Sequence, residues 1–153
     1  MNQTTLSHRY IASASELRLT EHEASLRILL AEDNHEARRL LALVLRREGH
    51  YVVEARDGGE LLEALAWTLI EPGRQDFDLV ICEQALPGVP GLTILEGLRA
   101  RDRTTLFILV THNSVTAGKA RRLGAFILEH PLDVQAIRSA IRESADTILP
   151  AND

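Results

Sequence analysis

The sequence predicts an α/β fold, a doubly wound parallel sheet of five strands with helices on both faces. Two observations carry this. From Arg27 onward, five short runs rich in Ile, Val and Leu alternate with segments of helical period, the pattern of repeated strand–helix pairs. Several of these runs, such as Ile28-Leu29-Leu30 and Leu79-Val80-Ile81-Cys82, show no polar alternation, as expected for central strands covered on both sides. A chain of 153 residues, 45% of them apolar and 25% charged, is long enough to build one core without disulfides or a structural metal.

The first strand is read at Arg27 to Ala31. Asn34 is a good N-cap for the first helix, whose apolar stripe is expected to be Ala37, Leu40, Leu41, Val44 and Leu45, with Arg38, Arg39, Arg46 and Arg47 mostly outside it and Gly49 ending it. A second strand at Tyr51 to Ala55 precedes a helix from about Gly59 to Ile70 that carries Trp67 and turns Leu61, Leu62, Leu65 and Leu69 inward. Glu71-Pro72-Gly73 stops that helix. Further strands are read at Asp78 to Glu83, Leu106 to Thr111 and Ala125 to Leu128, and a last helix from Asp133 carries Val134, Ile137, Ile141 and Ile148. Residues 1–26 read as a flexible N-terminal extension in which Leu17, Leu19 and Leu26 support either a short helix or disorder. Residues 27–146 then form the folded domain and 147–153 a C-terminal tail.

The longest apolar run, Leu40 to Leu45, is far below the roughly 20 residues of a membrane span, so no membrane insertion is expected. The N-terminus lacks the pattern of a secretory signal. The single cysteine, Cys82, excludes an internal disulfide and fits a reducing cytoplasm. A net charge of −5 with dispersed basic residues argues against direct nucleic-acid binding. Arginine outnumbers lysine sixteen to one, the one lysine being Lys119.

In an open α/β sheet, ligands bind beyond the carboxyl ends of the strands. Those ends read Glu32-Asp33, Glu83, Thr111-His112 and Glu129-His130-Pro131. Three carboxylates converging on one crevice repel each other, so the site calls for a divalent cation, a protonated neighbour or a raised pKa. Oxygen ligands of this kind suit magnesium. Asp76 and Asp78 lie at the other end of the sheet and read as loop and strand-entry residues.

The segments RILLAEDN, DLVICEQALPGVPG, ILVTH and EHP, in this order and spacing, resemble the receiver domain of bacterial two-component response regulators, whose fold is flavodoxin-like. The resemblance covers about Arg27 to Ala145. It implies a magnesium site made by Glu32, Asp33, Glu83 and the backbone carbonyl of Ala85, with Glu83 at the position of the phosphoacceptor. It also implies that Thr111 and His130 stand where a hydroxyl and a lysine contact the phosphoryl group. Pro131 matches the proline that follows the lysine, with a peptide bond that is often cis.

Departures from the family pattern fall on the reactive groups. Glu83 stands in place of the acceptor aspartate and His130 in place of the lysine, exchanging a permanent cation for an imidazole whose charge varies near neutral pH. Ile127 occupies the place of an aromatic switch residue, with Phe126 as the alternative if the preceding segment is one residue short. His112, larger than the small residue usual after the hydroxyl, is expected to obstruct access to the pocket. A transition-metal site of His112, His130 and Glu83 is a minor alternative.

The expectation is a stand-alone, degenerate pseudo-receiver. It acts without catalysis, through a signalling partner that is a histidine kinase or a downstream effector. Its magnesium site is either occupied or vestigial. Lys119, Arg121 and Arg122 on the fourth helix, with Arg138 and Arg142 on the fifth, offer a basic face for partner binding or dimerisation. The competing readings are a working receiver that accepts a phosphoryl group on Glu83 and a flavodoxin-like small-molecule binder. The acidic loop Ala31 to Asn34 disfavours the last, because its charge repels a cofactor phosphate.

Overall fold

The computed structural model describes residues 25–71, 76–101 and 105–148, the side chains of 69 and 145–148 excepted. The expectations for Leu17, Leu19, Pro72-Gly73 and the side chains of Leu69 and Ile148 therefore lie outside the described residues. The elements are β1 (Arg27–Ala31), α1 (His35–Arg47), β2 (Tyr51–Ala55), α2 (Gly58–Ile70), β3 (Leu79–Glu83), α3 (Gly91–Arg99), β4 (Leu106–Val110), α4 (Ser114–Arg122), β5 (Phe126–Leu128) and α5 (Val134–Ile148). All strand pairs are parallel and the order is β2-β1-β3-β4-β5.

Both faces of the sheet are covered because consecutive side chains along each strand point to opposite sides. Leu29, Val80, Cys82, Phe107 and Leu109 pack with Leu61 of α2, Ile94 and Leu95 of α3 and Ala120 of α4. Their neighbours Ile28, Leu30, Leu79, Ile81 and Ile108 pack on the other face with Leu41 and Leu45 of α1 and Ile137, Ala140 and Ile141 of α5. Every residue of β3 and β4 is buried, which accounts for their unbroken apolar sequence.

Asn34 caps α1, its side chain accepting from the Ala37 N–H at 2.9 Å. The buried stripe of α1 is nevertheless Arg38, Leu41, Ala42 and Leu45, while Ala37 and Leu40 are exposed. This corrects the expected stripe by a rotation of the helix. Arg38 takes the first inward position because its guanidinium finds acceptors there, described below. Leu62 is likewise exposed rather than inward, since the buried side of α2 runs through Leu61 with Ala64 and Leu65 partly covered.

Leu26 does not belong to a loose extension. Its N–H donates to His50 Nδ1 at 3.1 Å, its carbonyl accepts from the Tyr51 N–H at 2.9 Å, and its side chain packs against the α1/α5 face of the core. Asp78 is the strand-entry residue expected, accepting the Arg27 N–H at 2.7 Å.

The start of α3 lies directly behind the β3 terminus. Pro90 offers no side-chain cap, and Gln84 supplies it by accepting the Leu92 N–H at 2.7 Å. A Cβ on Gly91 would stand 2.7 Å from the Glu83 carbonyl oxygen and 2.7 Å from Leu109 Cδ1. Gly91→Ala is therefore expected to cost about 1–3 kcal/mol in urea unfolding, as overpacking of a filled site does.

Candidate functional site

The strand order reverses direction at β1, so a crevice opens between the carboxyl ends of β1 and β3. Register places the acids in it. Ala31 pairs with Cys82, so the next residues, Glu32 and Glu83, emerge side by side on strands about 4.8 Å apart. Both are buried, at 4% and 9% exposure.

One oxygen of Glu32, Oε1, accepts the Asn34 N–H at 3.1 Å. The other, Oε2, is buried with no hydrogen-bond donor among the described residues. Burial and the neighbouring Glu83 push the Glu32 carboxyl up to about 7. Glu83 is also raised, by burial first, with Asp33 adding repulsion. Two ionised carboxylates therefore do not rest comfortably here. A proton on Glu32, which lets it donate to Glu83, removes the repulsion, and so does a cation.

His130 completes the group. Its Nε2 contacts Glu83 Oε1, and its peptide bond to Pro131 is cis. Potential ligand atoms of Glu32, Glu83 and His130 lie within 4.8 Å of one another. Of the residues expected for magnesium, Glu32 and Glu83 are in this group, while Asp33, which interacts with Glu83, and Ala85 are exposed; His130 adds a nitrogen.

Thr111 is buried immediately past β4, its Oγ1 accepting the Asn113 N–H at 3.1 Å where α4 begins. His112 is exposed, with Nδ1 3.8 Å from Glu129 Oε2 and its ring centroid 6.2 Å from that of His130. It stands at the rim beside His130 and outside the group of three. Ile127 packs with the α2/α3/α4 side of the core, whereas Phe126 packs on the opposite face. The two are consecutive in a strand, so they cannot share a face.

Arg38 was not anticipated. It is 5% exposed, and Nη1 donates to the Glu32 carbonyl at 2.9 Å while Nε lies 3.4 Å from Glu54 Oε1. It thus ties the loop bearing Glu32 to β2. A charged residue at the first position of an apolar stripe was the available signal. Arg38→Ala is expected to destabilise the fold by about 1–3 kcal/mol, because the Glu32 carbonyl loses a buried donor while Glu54 keeps only its pair with Arg46. Cys82 is fully buried and its thiol pKa is raised by burial, so native protein is expected to resist thiol reagents until unfolded.

The pocket fits a divalent cation on two grounds, an orphaned buried carboxylate oxygen and a second carboxylate beside it. A model of the response regulator receiver domain matches residues 28–142. This chain belongs to that family. The receiver is 32% identical over 127 residues to the Regulator of RpoS of Escherichia coli K12, covering 80% of this chain and 36% of that protein. It is 26% identical to sporulation initiation phosphotransferase F of Bacillus subtilis, covering 76% of this chain and 91% of that one. Among solved structures, the CheY-like receiver domain from Methylobacillus flagellatus superposes with a TM-score of 0.66 at 24% identity, covering 78% and 98% of the two chains.

The chain spans 25% to 49% of the length of other curated relatives, such as PfeR of Pseudomonas aeruginosa and YkoG of Bacillus subtilis. Receivers are two-component signalling domains that bind magnesium at acidic residues and interact with histidine kinases, phosphotransfer proteins or effectors. Among the described residues of this receiver, no helix is long and apolar enough to cross a membrane.

Proposed function

We propose that this receiver works as a pseudo-receiver, a non-enzymatic interaction module that signals through a protein partner without phosphorylation of Glu83. The observation that carries the reading is the state of Glu83, which is buried beside Glu32 and in contact with His130. Glutamate carries its carboxyl one methylene, roughly 1.5 Å, farther out than aspartate. A misplacement of about 1 Å already costs about 100-fold in a positioned reaction. His130 lacks the permanent charge and the reach of a lysine, so charge developing on a transferred phosphoryl group is poorly neutralised.

A divalent cation, when bound, would neutralise the acids and be held by Glu32 and Glu83, with Asp33 and the Ala85 carbonyl at its margin. The partner is a histidine kinase or a downstream effector. The exposed Lys119, Arg121 and Arg122 of α4 with Arg142 of α5 provide the basic face for it or for a second copy. Arg138 does not join that face, because it is paired with Glu48.

Treatment with acetyl phosphate and magnesium, followed by intact-mass measurement, tests the reading. The expected result is an unmodified chain. A hydroxylamine-labile phosphoryl adduct that Glu83→Gln abolishes would establish the opposite reading, a working receiver.

A further inference from the structure

We propose that Glu32, Glu83 and His130 form a mixed nitrogen–oxygen site that selects a first-row transition dication of the zinc and cobalt class over magnesium. Three observations lead there. The ligand atoms of these residues, which come from the ends of three different strands, already lie within 4.8 Å of one another. Ligands bound at about 2.0–2.2 Å stand at most about 4.4 Å apart across an ion, so small shifts suffice, with His130 Nε2 and Glu83 Oε1 moving apart to admit it. Glu32 Oε2 is buried and receives no hydrogen bond from a donor among the described residues, while the Asn34 N–H fixes the other oxygen of the same carboxylate. That is the outer-sphere support that holds a ligand in one orientation.

The third observation sets the choice of metal. Magnesium prefers an octahedron of oxygens and keeps much of its water, whereas imidazole nitrogen suits zinc, cobalt and nickel. His130 Nε2 sits against Glu83 Oε1, where an oxygen-only site would have no nitrogen. A cation entering there replaces one contact with two metal bonds. The His130 side chain is 45% exposed, which leaves open positions for water. His112 stays outside the set, turned to Glu129 at the rim.

This inference rests on the placement of His130 against Glu83 and not on the absence of phosphotransfer, so the two readings fail separately. The full chain, stripped with chelator, is titrated with Zn2+ and with Mg2+ by calorimetry, and with Co2+ by visible absorption. One Zn2+ is expected to bind at least 100-fold more tightly than Mg2+, with Co2+ giving ligand-field bands that Zn2+ displaces. His130→Gln is expected to weaken Zn2+ by more than about 10-fold, the least that loss of even an outer-shell partner costs, and leave Mg2+ unchanged, while Glu32→Gln weakens both. Thermal melts confirm that each variant folds. Comparable Zn2+ and Mg2+ affinities would overturn the proposal. So would Zn2+ binding that survives His130→Gln and is instead lost in His112→Gln.

Discussion

Glu83→Asp combined with His130→Lys is expected to turn an inert pocket into one that accepts phosphoryl groups, raising adduct formation from acetyl phosphate by at least about 100-fold. The two changes act on different parts of the same step. Shortening residue 83 draws its attacking oxygen back by roughly one carbon–carbon bond, and the lysine supplies a permanent cation where charge builds on the phosphoryl oxygens. Each single variant is expected to recover much less. Glu83→Asp alone keeps a neighbour without fixed charge, and His130→Lys alone only gives the longer carboxylate a tighter ion pair. Thr111 is already at the adjacent strand end and buried. A double variant that folds yet stays unmodified would place the defect beyond these two positions.

Glu32→Gln is expected to stabilise the metal-free protein at pH 8 by about 2 kcal/mol, or roughly 4–8 °C in Tm for a chain of this size. The Glu32 carboxyl is raised from 4.5 to about 7 in the fold, so the native state binds its proton more tightly than the unfolded chain does. Stability from this group is therefore fully present below pH 4.5 and is lost as pH rises through 7. Glu83 shifts in the same direction and adds to the decline. The amide removes the charge while keeping the shape, so urea melts across this range should show a flatter pH dependence and little difference from the parent at pH 4. A variant less stable at pH 8, or one with an undiminished slope, would mean that repulsion at Glu32 does not limit the fold.

The sheet was legible because burial on both faces leaves a plain mark, unbroken apolar runs such as Leu79 to Cys82 and Leu106 to Val110. The position of the site was legible for a related reason: parallel strands put all their carboxyl ends on one edge, and the acids stand at those ends. Helix faces were less readable. On α1 a stripe drawn from apolar residues alone included Ala37 and Leu40 and left out Arg38, because a sequence does not reveal that the Glu32 carbonyl and Glu54 await a guanidinium.

The membership of the tight acidic group was only half readable. Glu32 and Glu83 follow from strand register, whereas His130 reaches the group from β5, two strands from β3, and is placed near Glu83 by the resemblance to receivers and not by local spacing. The role of Gln84 is hidden for a similar reason, since the helix it caps begins several residues later, behind a proline that cannot cap it.

Nitrogen-15 NMR of the His130 ring in chelator-treated protein tests the contact between residues 83 and 130 most directly. If the imidazole engages the Glu83 carboxylate, the Nε2 resonance should move strongly in Glu83→Gln. A His130 ring whose Nε2 signal is the same with and without the Glu83 carboxylate would contradict the account.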